Sequence, residues 1–156
     1  MACAKNLEGN IELSISFGKY KMYDCDAQRS DYENWIPFAL RIILPERCCE
    51  IDIEDGATVT VYEAKKLIYE LENIVKALES EEKYVYEYCN SESYFELNLE
   101  VLPDEEVIEV ELWINRGLQS KGEIFGYDEG FRFILNRHEM CRFYRDIRNE
   151  IISIIG

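Results

Sequence analysis

The feature that most constrains this chain is the stretch 61–112, in which acidic and apolar residues are interleaved. It holds fifteen acidic and four basic residues, a net charge of −11 out of −15 for the whole chain. An acidic run without apolar positions is typical of a disordered tail. Here apolar side chains recur throughout, so the stretch belongs to a folded core with many carboxylates on its surface. Their mutual repulsion costs stability, and a cationic partner would offset that cost.

Composition restricts the class of protein. The chain has 156 residues, of which 47% are hydrophobic and 13% aromatic, and this predicts a single globular domain, 1–156. The net charge argues against direct binding to nucleic acid, which depends on Lys and Arg, and against docking on anionic membranes. No secretory signal is visible, and no apolar stretch approaches the roughly 20 residues that span a bilayer. We therefore expect a cytoplasmic protein, with its oligomeric state left open.

Two periodicities predict the secondary structure. Alternation of period two predicts strands at 11–17, 35–44, 48–53, 84–89, 94–101, 107–114, 122–127 and 131–135. Helical spacing predicts helices at about 60–79 and 137–155, each opened by a cap residue with Glu three positions later. Pro37 predicts an edge position or an early kink in its strand. The order of the elements predicts an α+β fold, an antiparallel sheet or sandwich with two helices.

The same alternation predicts which side chains of the acidic stretch point outward. On 94–101 and 107–114 the apolar residues occupy one face and the polar residues the other. The outward set is Glu96, Glu100, Glu109, Glu111 and Trp113, joined by Glu87 if its strand pairs alongside. The ordinary interpretation is a solvated face that aids solubility. The alternative is a surface that binds a basic protein, with Trp113 as apolar anchor, because aromatic residues are typical interface anchors.

Recognisable motifs for catalysis or cofactor binding are missing from the sequence. It contains no phosphate loop, no Gly-x-Ser-x-Gly elbow and no Gly-x-Gly-x-x-Gly. The six cysteines show no Cys-x-x-Cys spacing, so we expect no metal site, no cofactor and no catalytic residue. Adjacent Cys48 and Cys49 are expected to be one exposed and one buried thiol. A pairing of His138 with Cys141, or a carboxylate-dependent hydrolase or Ca²⁺ site, remains as the enzymatic alternative.

The layout resembles the WapI-type immunity proteins of bacterial contact-dependent toxin systems. The resemblance is carried by 32–35 (Tyr-Glu-Asn-Trp), the capped helix at 60–79, 92–99 (Glu-Ser-Tyr-Phe-Glu-Leu-Asn-Leu) and 131–133 (Phe-Arg-Phe). It covers about residues 10–152 and implies a small, non-catalytic cytoplasmic protein that binds and blocks a toxin domain. An acidic surface suits that role, because many such toxins are nucleases with basic clefts and charge complementarity raises the association rate. A nucleic-acid mimic that regulates a DNA- or RNA-binding protein is a related alternative.

Overall fold

The computed structural model describes residues 1–18, 25–52, 56–119, 123 and 125–156. Within these residues the chain forms two antiparallel β-sheets and three helices, which confirms the predicted α+β fold. No helix in these ranges is long and apolar enough to cross a membrane.

The N-terminal sheet has five strands. They are β1 (Ala2–Lys5), β2 (Glu12–Phe17), β3 (Trp35–Ile43), β4 (Cys48–Ile51) and β5 (Thr58–Thr60). The order is β1-β2-β3-β4, and β5 pairs with the first part of β3. β3 is therefore central, and the edge position expected from Pro37 is wrong. The proline is tolerated because its carbonyl bonds the amide of Gly18 beyond the last β2–β3 pair, so its missing N–H faces the end of the ladder.

The C-terminal sheet has four strands in chain order, β6-β7-β8-β9. They are β6 (Val85–Cys89), β7 (Phe95–Leu102), β8 (Val107–Asn115) and β9 (Asp128–Asn136), with a short helix α2 (Arg116–Gln119) after β8. The strand predicted at 122–127 is not found in its described part, since residue 123 and residues 125–127 lie outside any strand. Residues 122 and 124 of that prediction, and residue 53 of the strand predicted at 48–53, lie outside the described residues.

Two long helices pack against the sheets, at the predicted positions. α1 (Val61–Ser80) buries Leu67, Leu71 and Ile74, and α3 (Arg137–Ile155) buries Phe143 and Ile147. α1 lies against β5, β6 and β7, while α3 lies against β1, β2, α1 and the C-terminal sheet. Each apolar stripe is therefore covered.

The core joins the two sheets. Phe38 of β3 meets Phe95 of β7 edge to face, with 5.4 Å between ring centroids. Buried residues of both sheets and of α1 and α3 form one hydrophobic cluster. With their inner faces thus occupied, the sheets present their other faces outward, and the acidic residues of the C-terminal sheet lie there.

Candidate functional site

The acidic residues singled out from the sequence lie together on the outer face of the C-terminal sheet. Glu87 is on β6, Glu96 and Glu100 are on β7, and Glu109, Glu111 and Trp113 are on β8. We call these six residues the acidic face. Their apolar neighbours in sequence are buried: Tyr86, Tyr88, Phe95, Leu97, Leu99, Val101, Ile108, Val110, Leu112 and Ile114. The alternation of period two therefore placed each side chain on the correct side of the sheet.

The strand register brings like charges close together. Glu100 lies directly opposite Glu109, and Glu87 and Glu111 flank Asn98 from either side. The carboxylates of Glu87, Glu100, Glu109 and Glu111 line one shallow depression of about 250 Å³. Opposed like charges on neighbouring strands destabilise a sheet.

Two cations relieve part of that repulsion. Arg132, on β9, lies 2.6 Å from Glu111 and 3.7 Å from Glu109, and Lys83 lies 2.7 Å from Glu100. Arg132 was not predicted from the sequence as a member of this face. The signal that could have identified it is its position between Phe131 and the buried Phe133. Alternation along the strand then places Arg132 on the outer face of the sheet. Among the described residues, Glu87 and Glu96 have no ion-pair partner, while Glu109 and Glu111 share the single cation Arg132. Two of the three uncompensated charges of the face therefore lie on Glu87 and Glu96.

Trp113 is held in one position by its neighbours. Its indole Nε1 donates a hydrogen bond to Glu111 Oε1 at 2.7 Å. Its ring lies so close over Gly130 that a Cβ there would approach the ring to 2.5 Å. The residue is still 39% exposed. The ring is therefore fixed before any partner arrives, which lowers the entropy that binding would have to remove.

Glu111 is the best-defined carboxylate of the face. It accepts hydrogen bonds from Arg132 and Trp113, and these bonds hold its pKa below the ordinary value of a glutamate. The charge of Arg132 is stabilised in return, and the pKa of its guanidinium is raised by the same hydrogen bond. This pair is internal to the protein, so Glu111 is less available to a partner than Glu87 or Glu96.

The cysteines and the histidine stand apart from the acidic face. Cys48 is exposed and Cys49 buried, as predicted. Burial, together with the nearby carboxylate of Glu129, raises the pKa of the Cys49 thiol, which makes it a poor nucleophile. The ring of His138 is largely exposed and lies 3.7 Å from Glu139. In the described part of the chain no cluster of three or more Cys, His, Asp or Glu side chains is arranged to hold a metal ion.

These features define an α+β protein of two antiparallel sheets, one of which carries an anionic outer face with a fixed tryptophan. The model of the immunity protein WapI-like family matches residues 4–153, nearly the whole length, and the chain belongs to that family. The match confirms the resemblance found from the sequence and supports an immunity role against a toxin. No match was found among curated proteins.

Proposed function

We propose that this chain neutralises a cationic toxin domain by binding it through the acidic face, without catalysis, in the cytoplasm of the cell that it protects. Membership of the immunity protein family supports the toxin as partner. The observation that favours this surface is the pair of glutamates, Glu87 and Glu96, that stay uncompensated while their neighbours are paired. Uncompensated charge of one sign is costly to the free protein and attracts a partner of the opposite sign.

The end of the acidic face near Trp113 offers a place for a cationic side chain. Glu96 lies opposite Trp113 on the neighbouring strand, and the two line a hollow of about 140 Å³ together with Asp128. A Lys or Arg side chain there would meet two carboxylates and an aromatic ring, and contact with the ring adds a cation–π attraction. A basic toxin surface supplies such side chains.

The proposal predicts that the uncompensated glutamates act on the association rate. The Glu87→Gln, Glu96→Gln double variant should associate with the toxin domain roughly threefold to tenfold more slowly at low salt, because electrostatic steering is weakened. Its association rate should also depend less on salt than that of the wild type. The association rate is measured by stopped-flow or surface plasmon resonance with the cognate toxin domain, at two salt concentrations.

A matched control removes two glutamates elsewhere. Glu46 and Glu105 are exposed and lie on connections outside the acidic face, so their double Gln variant has the same net charge as the test variant. Equal slowing in test and control would show that total charge, and not this face, steers the toxin.

Trp113→Ala should instead raise the dissociation rate. The loss of binding free energy should be about 2 kcal/mol or more if the ring is a central contact. Failure of the wild type to bind or block the toxin would overturn the proposed function itself.

A further inference from the structure

The outer strand of the C-terminal sheet has a free edge. In the part of the chain that the structure describes, β6 pairs with β7 only, and its other edge is unpaired. The amide of Val101 bonds the carbonyl of Tyr84, directly opposite it, so Tyr86 and Tyr88 also belong to hydrogen-bonded pairs. The backbone groups of the alternate residues Val85, Glu87 and Cys89 therefore point away from β7. Within the described residues they have no hydrogen-bond partner, and such an edge is ready to pair with another strand.

A groove of about 460 Å³ runs along this edge. Residues of both faces of β6 line it, Tyr86 and Tyr88 from the inner face and Glu87 and Cys89 from the outer face. The groove therefore follows the edge of the strand and not one side of the sheet. Its other wall consists of Tyr32, Trp35, Thr60, Tyr62, Glu63, Lys66 and Ser91.

The groove is held open by polar bonds at its end. Glu63 closes the cap of α1 with Thr60, and its second carboxylate oxygen accepts the amide of Ser91, just beyond β6. On the helix wall Tyr32 stacks on Tyr62, with 4.3 Å between ring centroids. Both rings remain exposed. Exposed, mutually supported tyrosines are typical of contact surfaces, because they give a large contact area at a small entropy cost.

One residue that lines the groove has a buried polar atom without a hydrogen-bond partner in the described part of the chain. Tyr86 is 6% exposed, and its hydroxyl makes no hydrogen bond within the described residues. Buried hydroxyls in folded proteins nearly always have a partner, and an orphan costs stability. A ligand that entered the groove and displaced the groups that cover this hydroxyl would supply the missing hydrogen bond.

We propose that an extended segment of the toxin domain occupies this groove and adds to β6 as a fifth strand of the sheet. The inference rests on the proposed function, since it takes the toxin as partner. Backbone groups of the segment would bond those of Val85, Glu87 and Cys89, the mode in which extended peptides join a sheet edge. Because successive side chains of a strand alternate between faces, the segment must alternate too. Cationic side chains would lie beside Glu87 and continue the acidic face, while apolar or aromatic ones would enter the groove over Tyr86 and Tyr88.

Charge favours the toxin over a second copy of this chain as the occupant. Pairing β6 with its own copy would bring two acidic faces together along one edge, at a net charge of −15 for each chain. A cationic segment meets Glu87 with the opposite sign. Lys66, on the helix wall, adds a hydrogen-bond donor that suits a carbonyl of the added strand.

The first test is amide hydrogen exchange of the wild-type protein, free and bound to the toxin domain, followed by NMR. The amides of Val85, Glu87 and Cys89 should become at least about tenfold slower to exchange in the complex, because each gains a backbone hydrogen bond. The amides of Tyr86 and Tyr88, already paired with β7, serve as the internal control and should change less. Unchanged exchange at all three outward amides would overturn the proposal.

The second test compares two substitutions at one position. Glu87→Pro removes the outward N–H, and Glu87→Ala removes the same charge but keeps the N–H. Glu87→Pro should bind the toxin about tenfold more weakly than Glu87→Ala, since strand pairing is lost in only one of them. Equal affinities, with both variants folded by circular dichroism, would contradict an added strand.

A third variant, Tyr86→Phe, keeps the proposal testable if Glu87→Pro does not fold. Tyr86→Phe removes only the orphan hydroxyl, so the melting temperature of the free protein should stay the same or rise, while affinity for the toxin falls severalfold. Affinity unchanged by Tyr86→Phe would contradict a toxin segment that bonds this hydroxyl. A dimer of the free protein that Glu87→Pro dissociates would assign the edge to a second copy instead. In these outcomes the proposed function survives, whereas no toxin binding by the wild type would remove both.

Discussion

At the scale of single residues, Glu111 decides how much of the acidic face is open to a partner. It pairs with Arg132 and also accepts the hydrogen bond that fixes Trp113. Both interactions require the ionised carboxylate or are strengthened by it. The residue therefore acts as an internal support of the face, in contrast with Glu87 and Glu96, which have no ion pair among the described residues.

This arrangement predicts a pH dependence of stability. The pKa of Glu111 is lowered from 4.5 in the folded protein, mainly by the hydrogen bond from Arg132 and then by that from Trp113. Its stabilising effect is therefore fully present above pH 4.5 and is lost as the pH falls through the lowered pKa. Glu111→Gln should be less stable than the wild type at pH 7, and the difference should shrink on acidification. Urea unfolding of both proteins at pH 7 and pH 3 measures this difference in stability.

Glu96→Gln is the control for this pH effect. It removes a carboxylate from the same face at a site with no ion pair among the described residues, so repulsion falls and no pairing is lost. Its stability at pH 7 should equal or exceed that of the wild type. A difference between Glu111→Gln and the wild type that stays constant from pH 7 to pH 3 would show that the ionised form of Glu111 does not stabilise the fold.

At the scale of secondary-structure elements, the start of α1 ties the helix to the C-terminal sheet. Thr60 accepts the amide of Glu63, and Glu63 accepts the amides of both Thr60 and Ser91. The first two bonds form the capping box predicted from the sequence. The third is a tertiary contact, which also sets the distance between α1 and the end of β6.

Substitutions at this cap should lower the free energy of unfolding by different amounts, in a definite order. Thr60→Ala should lower the free energy of unfolding by about 1 kcal/mol, the usual effect of losing a cap hydroxyl. Glu63→Ala should lower it further, because it also leaves the amide of Ser91 without its acceptor. Thr60→Ser keeps the hydroxyl and serves as the control, with the smallest change. Chemical denaturation of the three variants gives the order, and a Glu63→Ala variant as stable as Thr60→Ser would contradict the tertiary bond.

Strong periodicity explains which elements could be predicted from the sequence. Helices expected at about 60–79 and 137–155 lie at Val61–Ser80 and Arg137–Ile155, since each has an apolar stripe and a cap. The strands of the acidic stretch were placed with the correct faces for the same reason. β1 and β5 were missed because they are only four and three residues long and have little alternation.

Only those features of the site that depend on alternation within a single strand could be predicted from the sequence. Alternation identified the outward residues, including Glu96 and Trp113. It did not show that Arg132 would lie beside Glu109 and Glu111, because pairing across strands depends on register. The groove beside β6 was not predicted either, since its walls come from parts of the chain as distant as Tyr32 and Ser91.

At the scale of the whole molecule, contacts between the sheets make them parts of one structure. The amide of Leu7, after β1, bonds the carbonyl of Ile134 on β9. Arg47, before β4, forms an ion pair with Glu129 on the same strand, β9. Added to the shared hydrophobic cluster, these contacts couple the folding of the N-terminal and C-terminal sheets.

The coupling predicts a single cooperative unfolding transition for residues 1–156. Far-ultraviolet circular dichroism, which follows the helices and sheets, and near-ultraviolet circular dichroism, which follows aromatic packing, should give the same midpoint in urea. We expect a single midpoint because neither sheet can expose its inner face without opening the shared core. Two separated midpoints would show that the sheets unfold independently and would contradict the single domain.

The positions of the two tryptophans have a practical consequence for observing the toxin bind. The chain has only Trp35 and Trp113. The first lines the groove beside β6, and the second lies on the acidic face. Each proposed contact therefore contains its own intrinsic fluorophore. Replacing either one with Phe leaves a single tryptophan, which can be excited at wavelengths where the eleven tyrosines do not absorb. The two emission changes then report separately, and in time order, when the face and the groove are covered.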